Sequence, residues 1–181
     1  MANQSSAQTV YSPVVTGLFR DLDKANRAYQ AVVDLGYAKE SINVVMSDET
    51  RDRFFLKDRP LATERGNKAL EGAGVGGAIG GAVGALLGAI ATIGATIVVP
   101  GLGLVVAGPI AAVLAAAGAG SLTGGIIGTL VGAGIPEERA KHYEQGIKGG
   151  GVLISVTPRT EADAERIEQE WKRIGGELVQ R

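Results

Sequence analysis

GAGVGGAIGGAVGALLGAIATIGATIVVPGLGLVVAGPIAAVLAAAGAGSLTGGIIGTLVGAGIP, residues 72–136, decides how the rest of this chain is read. These 65 residues contain no Asp, Glu, Lys, Arg or His, and they hold 19 of the 28 glycines. Glycine is spaced regularly in two places. Gly76, Gly80, Gly84 and Gly88 recur every four residues, and so do Gly120, Gly124, Gly128 and Gly132. Residues four apart share one face of a helix. Each run therefore predicts a smooth helical groove that lets another backbone approach closely. Pro100, Gly101 and Gly103 form a turn signal between the runs, with Pro109 shortly after. The expectation is a helical hairpin over 72–135, with arms 72–99 and 104–135.

Each arm holds about 25 to 30 residues, or roughly 37–45 Å as helix. That exceeds the roughly 30 Å hydrocarbon core of a bilayer. Seven glycines in residues 76–94 would cost an isolated helix on the order of 7 kcal/mol against alanine. Nine Val, Leu or Ile residues between Val75 and Val98 return roughly 3 to 5 kcal/mol on insertion into lipid. Packing against other helices, more than hydrophobicity, must fix such a segment. The tip, Val98 to Ile110, has no charged or polar side chain and no Trp or Tyr to sit at an interface. Three settings satisfy it: a short loop reaching the far membrane surface, a hairpin that dips in and returns, or a hairpin enclosed in a protein assembly. Arg65, Lys68, Arg139 and Lys141 border the window and, in a membrane, favour the cytoplasmic side.

Outside the window the sequence is charged and ordinary. Residues 1–12 read as a disordered leader of Ser, Gln and Asn, with no secretory signal pattern. Residues 13–47 read as strand, helix, strand. Val14 to Phe19 is the first strand and Asp21 an N-cap. Leu22, Ala25, Tyr29, Val32 and Val33 form a helical stripe that Gly36 closes. Ile42, Val44 and Met46 mark a second strand. Residues 48–71 read as a charged linker, with room for a short helix around Phe54, Phe55 and Leu56. In 136–181, Pro136 opens a helix from Glu137 to Lys148, and Val152 to Val156 is a buried strand. Thr160, with Asp163 at capping-box spacing, starts a helix striped by Ala164, Ile167, Trp171 and Ile174. Gly175 and Gly176 end it before a last short strand at Leu178 and Val179.

Neither flank is long enough to bury a core alone. Together they make βαβ plus βαβ. The expected fold class is therefore α+β: a split ferredoxin-like domain interrupted by a long glycine-rich hydrophobic α-helical hairpin.

The chemistry to be expected is limited. A formal net charge of −1 does not favour nucleic acid. The absence of cysteine excludes disulfides, thiol catalysis and Cys-based metal sites. Gly72 to Gly77 lacks the preceding buried strand and following acid of a dinucleotide fingerprint. His142, the single histidine, has Glu138 one helical turn before it, which is too little for a metal site. Asp163, Glu165 and Glu168 have Arg166 and Lys172 as helical neighbours, which points to ion pairing over catalysis. No catalytic, cofactor-binding or metal-binding residue is expected, and no small-molecule ligand is indicated. A pore or transporter would need polar residues facing a pathway. The window offers only Thr92, Thr96, Ser121, Thr123 and Thr129.

Val15-Thr16-Gly17-Leu18-Phe19 with Asp23, Ala25, Gly36 and the strand Ile42 to Met46 resembles the bacterial general stress protein family typified by heat-induced 17M-type proteins. Pro100 to Gly103, Ala107-Gly108-Pro109, Gly134 to Ala140, Tyr143, Glu144 and Val152 to Val156 are similar to a related group. The resemblance implies a stress-induced bacterial protein with no established catalytic residues. The combined expectation is a non-enzymatic stress-response protein that self-associates into a homo-oligomer through Gly76, Gly80, Gly84, Gly88, Gly120, Gly124, Gly128 and Gly132. Its hairpin would lie in the lipid bilayer of the inner membrane with the ferredoxin-like domain on the cytoplasmic side. The alternative is a soluble cytoplasmic assembly, a large homo-oligomer or filament with the hairpins buried inside.

Overall fold

A computed structural model describes residues 14–55, 96–99, 103–112 and 125–181. The fold is α+β. Six strands form one antiparallel sheet in the order β3-β4-β2-β5-β1-β6. The strands are β1 (Val15–Phe19), β2 (Ile42–Ser47), β3 (Thr96–Val99), β4 (Leu104–Ala107), β5 (Val152–Val156) and β6 (Glu177–Gln180). The helices are α1 (Leu22–Asp34), α2 (Asp48–Phe55), α3 (Gly125–Gly132), α4 (Glu137–Lys148) and α5 (Glu161–Ile174).

Local chemistry explains the ends of these elements. The Asp21 carboxylate accepts from the Lys24 amide and starts α1. The Thr160 hydroxyl accepts from the Asp163 amide and starts α5. Gly175 stops α5 in the left-handed region at φ +88°, so that the amides of Gly175 and Gly176 close on the carbonyls of Lys172 and Trp171. Pro136 precedes α4, where its missing amide costs nothing.

Each strand sends alternate side chains to opposite faces. One face carries Val15, Phe19, Val44, Met46, Val152, Ile154 and Val156 against α1 and α5. Here Trp171 meets Phe19 edge-on, with ring centroids 5.8 Å apart, and donates its indole N–H to the Ala28 carbonyl at 3.0 Å. The opposite face carries Leu18, Val45, Leu104, Val106 and Leu153 against α3, α4 and the turn at Ile110. The sheet is covered on both sides. Strands buried on both faces read as apolar runs instead of alternating ones; β4 does so without a break, and β5 does so apart from the buried Ser155.

The second layer comes partly from the uncharged window, and this corrects the expected helical hairpin. Thr96–Val99 and Leu104–Ala107 are strands, paired with each other and, through β4, with β2. The glycine spacing and lack of charge suggested helix across this tip. The local residues, Thr-Ile-Val-Val and Leu-Val-Val, are mostly β-branched and bounded by Pro and Gly, which favours strand. The arm expected over 104–135 is broken as well. It turns at Gly108, φ +95°, and α3 begins only at Gly125, φ +65°. Ile110, Ala111, Ile126, Leu130 and Ile135 are all buried in the second core. This part of the window finds its packing partner in its own sheet. α2 also occupies the start of the segment read as a linker, from Asp48 directly after β2.

Three hydroxyl-mediated or amide-mediated contacts, buried or partly buried, tie distant segments together. The Tyr143 hydroxyl donates to the Leu178 carbonyl at 2.8 Å and lies 2.7 Å from Thr16 Oγ1. Asn43 Oδ1 accepts from the Ile110 amide at 2.9 Å, holding the turn after β4 onto β2. The Tyr37 hydroxyl accepts from the Arg159 amide and donates to Asp163 Oδ2 at 2.8 Å, while the Arg159 guanidinium stacks 4.2 Å above the Tyr37 ring. The Asp163 carboxylate thus turns to Tyr37 and Arg159, and the expected capping box is only half formed. Tyr37's hydroxyl first, and the Arg159 guanidinium second, hold that carboxyl below the usual aspartate range. A group lowered on folding stabilises the fold above its unfolded pKa, about 4, and loses that contribution as pH falls through the folded value. Asp163→Asn should therefore lose less stability than the parent chain between pH 5 and pH 2, measured by urea unfolding at each pH. Parallel pH profiles would refute this account of the contact.

Candidate functional site: an uncharged helix face

Of the glycines expected at a packing interface, Gly128 and Gly132 lie on α3. Gly76, Gly80, Gly84, Gly88, Gly120 and Gly124 lie outside the described residues, as do Pro100 and Gly101 of the turn. Gly103 is exposed and left-handed at φ +60°, and its carbonyl accepts from the Asp48 amide at 2.8 Å. Pro109 is exposed and opens a helical turn over 109–112, after β4 and not between two helical arms.

α3 has an inner and an outer face although its sequence is apolar apart from Thr129. Ile126, Thr129 and Leu130 are buried, and the Thr129 hydroxyl donates back to the Gly125 carbonyl at 3.0 Å. That bond satisfies the only side-chain polar group of the helix. On the other side, a Cβ built at Gly128 or Gly132 meets nothing within 4 Å. Val131 beside them is 43 % exposed. These glycines do no internal packing among the described residues. Their outer surface is flat, uncharged and open.

The glycines that the protein's own packing requires are different ones. At Gly146 a Cβ would fall 2.1 Å from Leu18 Cδ2, and at Gly108 it would fall 2.4 Å from the Ile42 carbonyl oxygen. Reading the sequence for four-residue periodicity missed both. Gly146 lies in a charged helix where a lone glycine in an otherwise good helix former signals close approach. Gly108 sits between two apolar runs beside a proline.

Nothing among the described residues assembles as a catalytic centre. No group of three or more His, Asp or Glu side chains could hold a metal ion there. His142 is exposed, with Nδ1 2.8 Å from the Glu138 carbonyl. The acids of α5 are engaged in ion pairs. Glu168 meets Lys172 and Arg181, Glu170 meets Arg173, and Glu161 meets Arg181. Arg173 first holds the Glu170 carboxyl below its ordinary range. Tyr29 is fully buried and its hydroxyl finds no partner among the described residues. Burial first, and the Glu40 carboxylate second, push this phenol up to about 12. A groove of about 480 Å³ between α1 and α5 has Ala31, Val32, Leu35 and Ile167 among its lining, and it contains no nucleophile–base pair.

Among the described residues no helix is long and apolar enough to cross a membrane. No family model, curated protein or solved structure matches the chain.

Proposed function

We propose that this protein is a non-enzymatic self-associating module, a split ferredoxin-like domain whose uncharged insertion serves to pack against further copies. The ferredoxin-like reading is supported by the strand order β2-β5-β1-β6, all antiparallel, with α1 and α5 together on one face. In that reading β3 and β4 extend the sheet beyond β2, and α3 and α4 close its second face. The observation that carries self-association is the open face at Gly128, Gly132 and Val131, an uncharged helical surface with room for another backbone. A stress-response role follows from the family resemblance alone.

The membrane form of this proposal is narrowed by chain length. Residues 56–95 leave from α2 and return at β3, and both elements adjoin the same sheet. Of these, only 72–95 are free of charge, 24 residues. Two bilayer crossings need about 40 apolar residues. Insertion into one leaflet, from the cytoplasmic side of the inner membrane, is the form that fits. It stands as the second reading beside a protein-enclosed assembly, and the length of that uncharged run is what favours it.

Light scattering after size exclusion, with and without detergent, tests both. A defined oligomer in detergent-free buffer that falls in mass on Gly128→Leu is the expected result. A monomer at every concentration would refute self-association. An oligomer whose mass Gly128→Leu leaves unchanged would remove α3 from the contact. Aggregation relieved only by lipid or detergent would favour the leaflet reading.

A further inference from the structure

Helices α1 and α5 leave a groove of about 480 Å³ between them, on the side of the sheet opposite α3. Small-molecule sites range over roughly 300 to 1,000 Å³ and combine an apolar lining with a few polar groups. Val32, Ile167 and Trp171 lie at the base of this groove, each no more than 1 % exposed. Ala31 and Leu35, half-buried, stand beside them. Such a lining gains from covering by an apolar body.

The polar lining is unevenly engaged. Arg166, Gln169, Glu170 and Arg173 all come from α5. Glu170 holds Arg173 through two hydrogen bonds, at 2.9 and 2.6 Å. Arg166 has two acids within about one helical turn, Asp163 and Glu170, and both are taken. Asp163 is bonded by Tyr37 and Arg159, and Glu170 by Arg173. Among the described residues no hydrogen bond or ion pair holds Arg166. An adjoining hollow of about 310 Å³ adds Arg27 and Asp34, whose charges offset one another. The groove is left with one uncompensated cation, and Gln169 shares that side of the helix, three residues on.

We infer that this groove is a binding site for a small amphipathic carboxylate, with the apolar body over Ala31 and Leu35 and the carboxylate on Arg166. Arginine offers paired N–H donors that match a carboxylate. A protein partner fits less well. Protein contacts are anchored by large side chains at the centre of the interface. Among the described residues the exposed large hydrophobics are Val131 and Leu178, and neither lines the groove. The chain's own remaining residues do not supply the missing charge. Residues 1–13, 72–95, 100–102 and 113–124 contain no acid, and 56–71 carry four basic side chains against three acidic. The groove and α3 lie on opposite faces of the sheet, so this inference does not depend on the self-association proposed above.

Trp171 is the only tryptophan of the chain and lines the groove, so its fluorescence reports occupancy. Octanoate, octanol and octylammonium share one tail and differ in charge. Each is titrated into the full chain below its micelle-forming or solubility limit, with equilibrium dialysis as a second readout. Saturable binding is expected, tightest for octanoate and absent for octylammonium. Arg166→Gln should weaken octanoate about fivefold and leave octanol unchanged. Arg166 is exposed, and circular dichroism establishes that the variant is folded. Ala31→Phe should fill the groove and remove the binding of octanoate and octanol alike, read by dialysis. No saturable octanoate binding, or octylammonium binding as tight as octanoate, would overturn the inference. Octanoate binding that Arg166→Gln or Ala31→Phe leaves unchanged would overturn it too, since the anion would then be held elsewhere.

Discussion

Gly108→Ala is expected to destabilise the protein by about 2 to 5 kcal/mol. Two costs combine at this position. Its φ of +95° lies in the region that L-residues avoid, at about 1 to 2 kcal/mol for an ordinary left-handed residue. The added methyl would also sit 2.4 Å from the Ile42 carbonyl oxygen and 3.0 Å from Asn43 Cα. Those are backbone atoms of β2 and cannot swing aside as a flexible side chain would. Overpacking of a rigid neighbour costs about 1 to 3 kcal/mol, and any retreat also stretches the 2.9 Å bond from the Ile110 amide to Asn43 Oδ1. Gly134→Ala is the comparison that separates the two costs. Gly134 has φ +85° and open space around its Cβ, so it should lose only the conformational part, about 1 to 2 kcal/mol. Urea unfolding of both variants measures the difference. Equal losses would mean that β4 does not continue into a turn pressed onto β2, and the placement of the uncharged tip in the sheet would fall with it.

That placement is where the sequence was hardest to read. The flanks were legible because their signals are local and mutually consistent. Asp21, Gly36, Pro136, Thr160 and Gly175 mark helix ends, and the apolar stripes of α1 and α5 keep a helical period. In the window those signals are absent. A fully buried strand such as Leu104–Ala107 has no polar alternation, because both of its faces are covered. An apolar run of four between glycines is then ambiguous between strand and buried helix. β-branching at Thr96 to Val99 and at Val105 and Val106 resolves the ambiguity, but the four-residue glycine spacing outweighed it. The glycine spacing itself was informative at α3, where Gly128 and Gly132 do fall on one open face. Periodicity could place them on a face. It could not tell whether that face turned inward, since this depends on Ile126 and Leu130 joining the second core. Gly108 and Gly146 were illegible for the same reason. A close approach is a property of two segments, and each sequence segment shows only one.

Trp171→Ala is expected to cost about 3 to 5 kcal/mol and to test the joining of the two flanks more directly than any other change. Trp171 is wholly buried. It comes from the C-terminal flank, yet its contacts are on the N-terminal one: the Phe19 ring of β1 and the Ala28 carbonyl of α1. Gly17 of β1 admits it, since a Cβ there would lie 2.9 Å from the indole Cε3. Truncation leaves a cavity between α1, α5 and the sheet and strips the Ala28 carbonyl of a partner. Trp171→Phe separates these effects, because it retains most of the volume and loses the hydrogen bond, at about 1 kcal/mol plus imperfect packing. Since each flank supplies strands that lie between those of the other, β5 between β1 and β2, neither has a complete core of its own. Unfolding of Trp171→Ala, followed by far-ultraviolet circular dichroism and by tyrosine fluorescence, should therefore remain a single coincident transition at lower denaturant. Two separated transitions, with one at the position of the parent chain, would show that the flanks fold independently, and the single split domain on which self-association through the insertion depends would have to be abandoned.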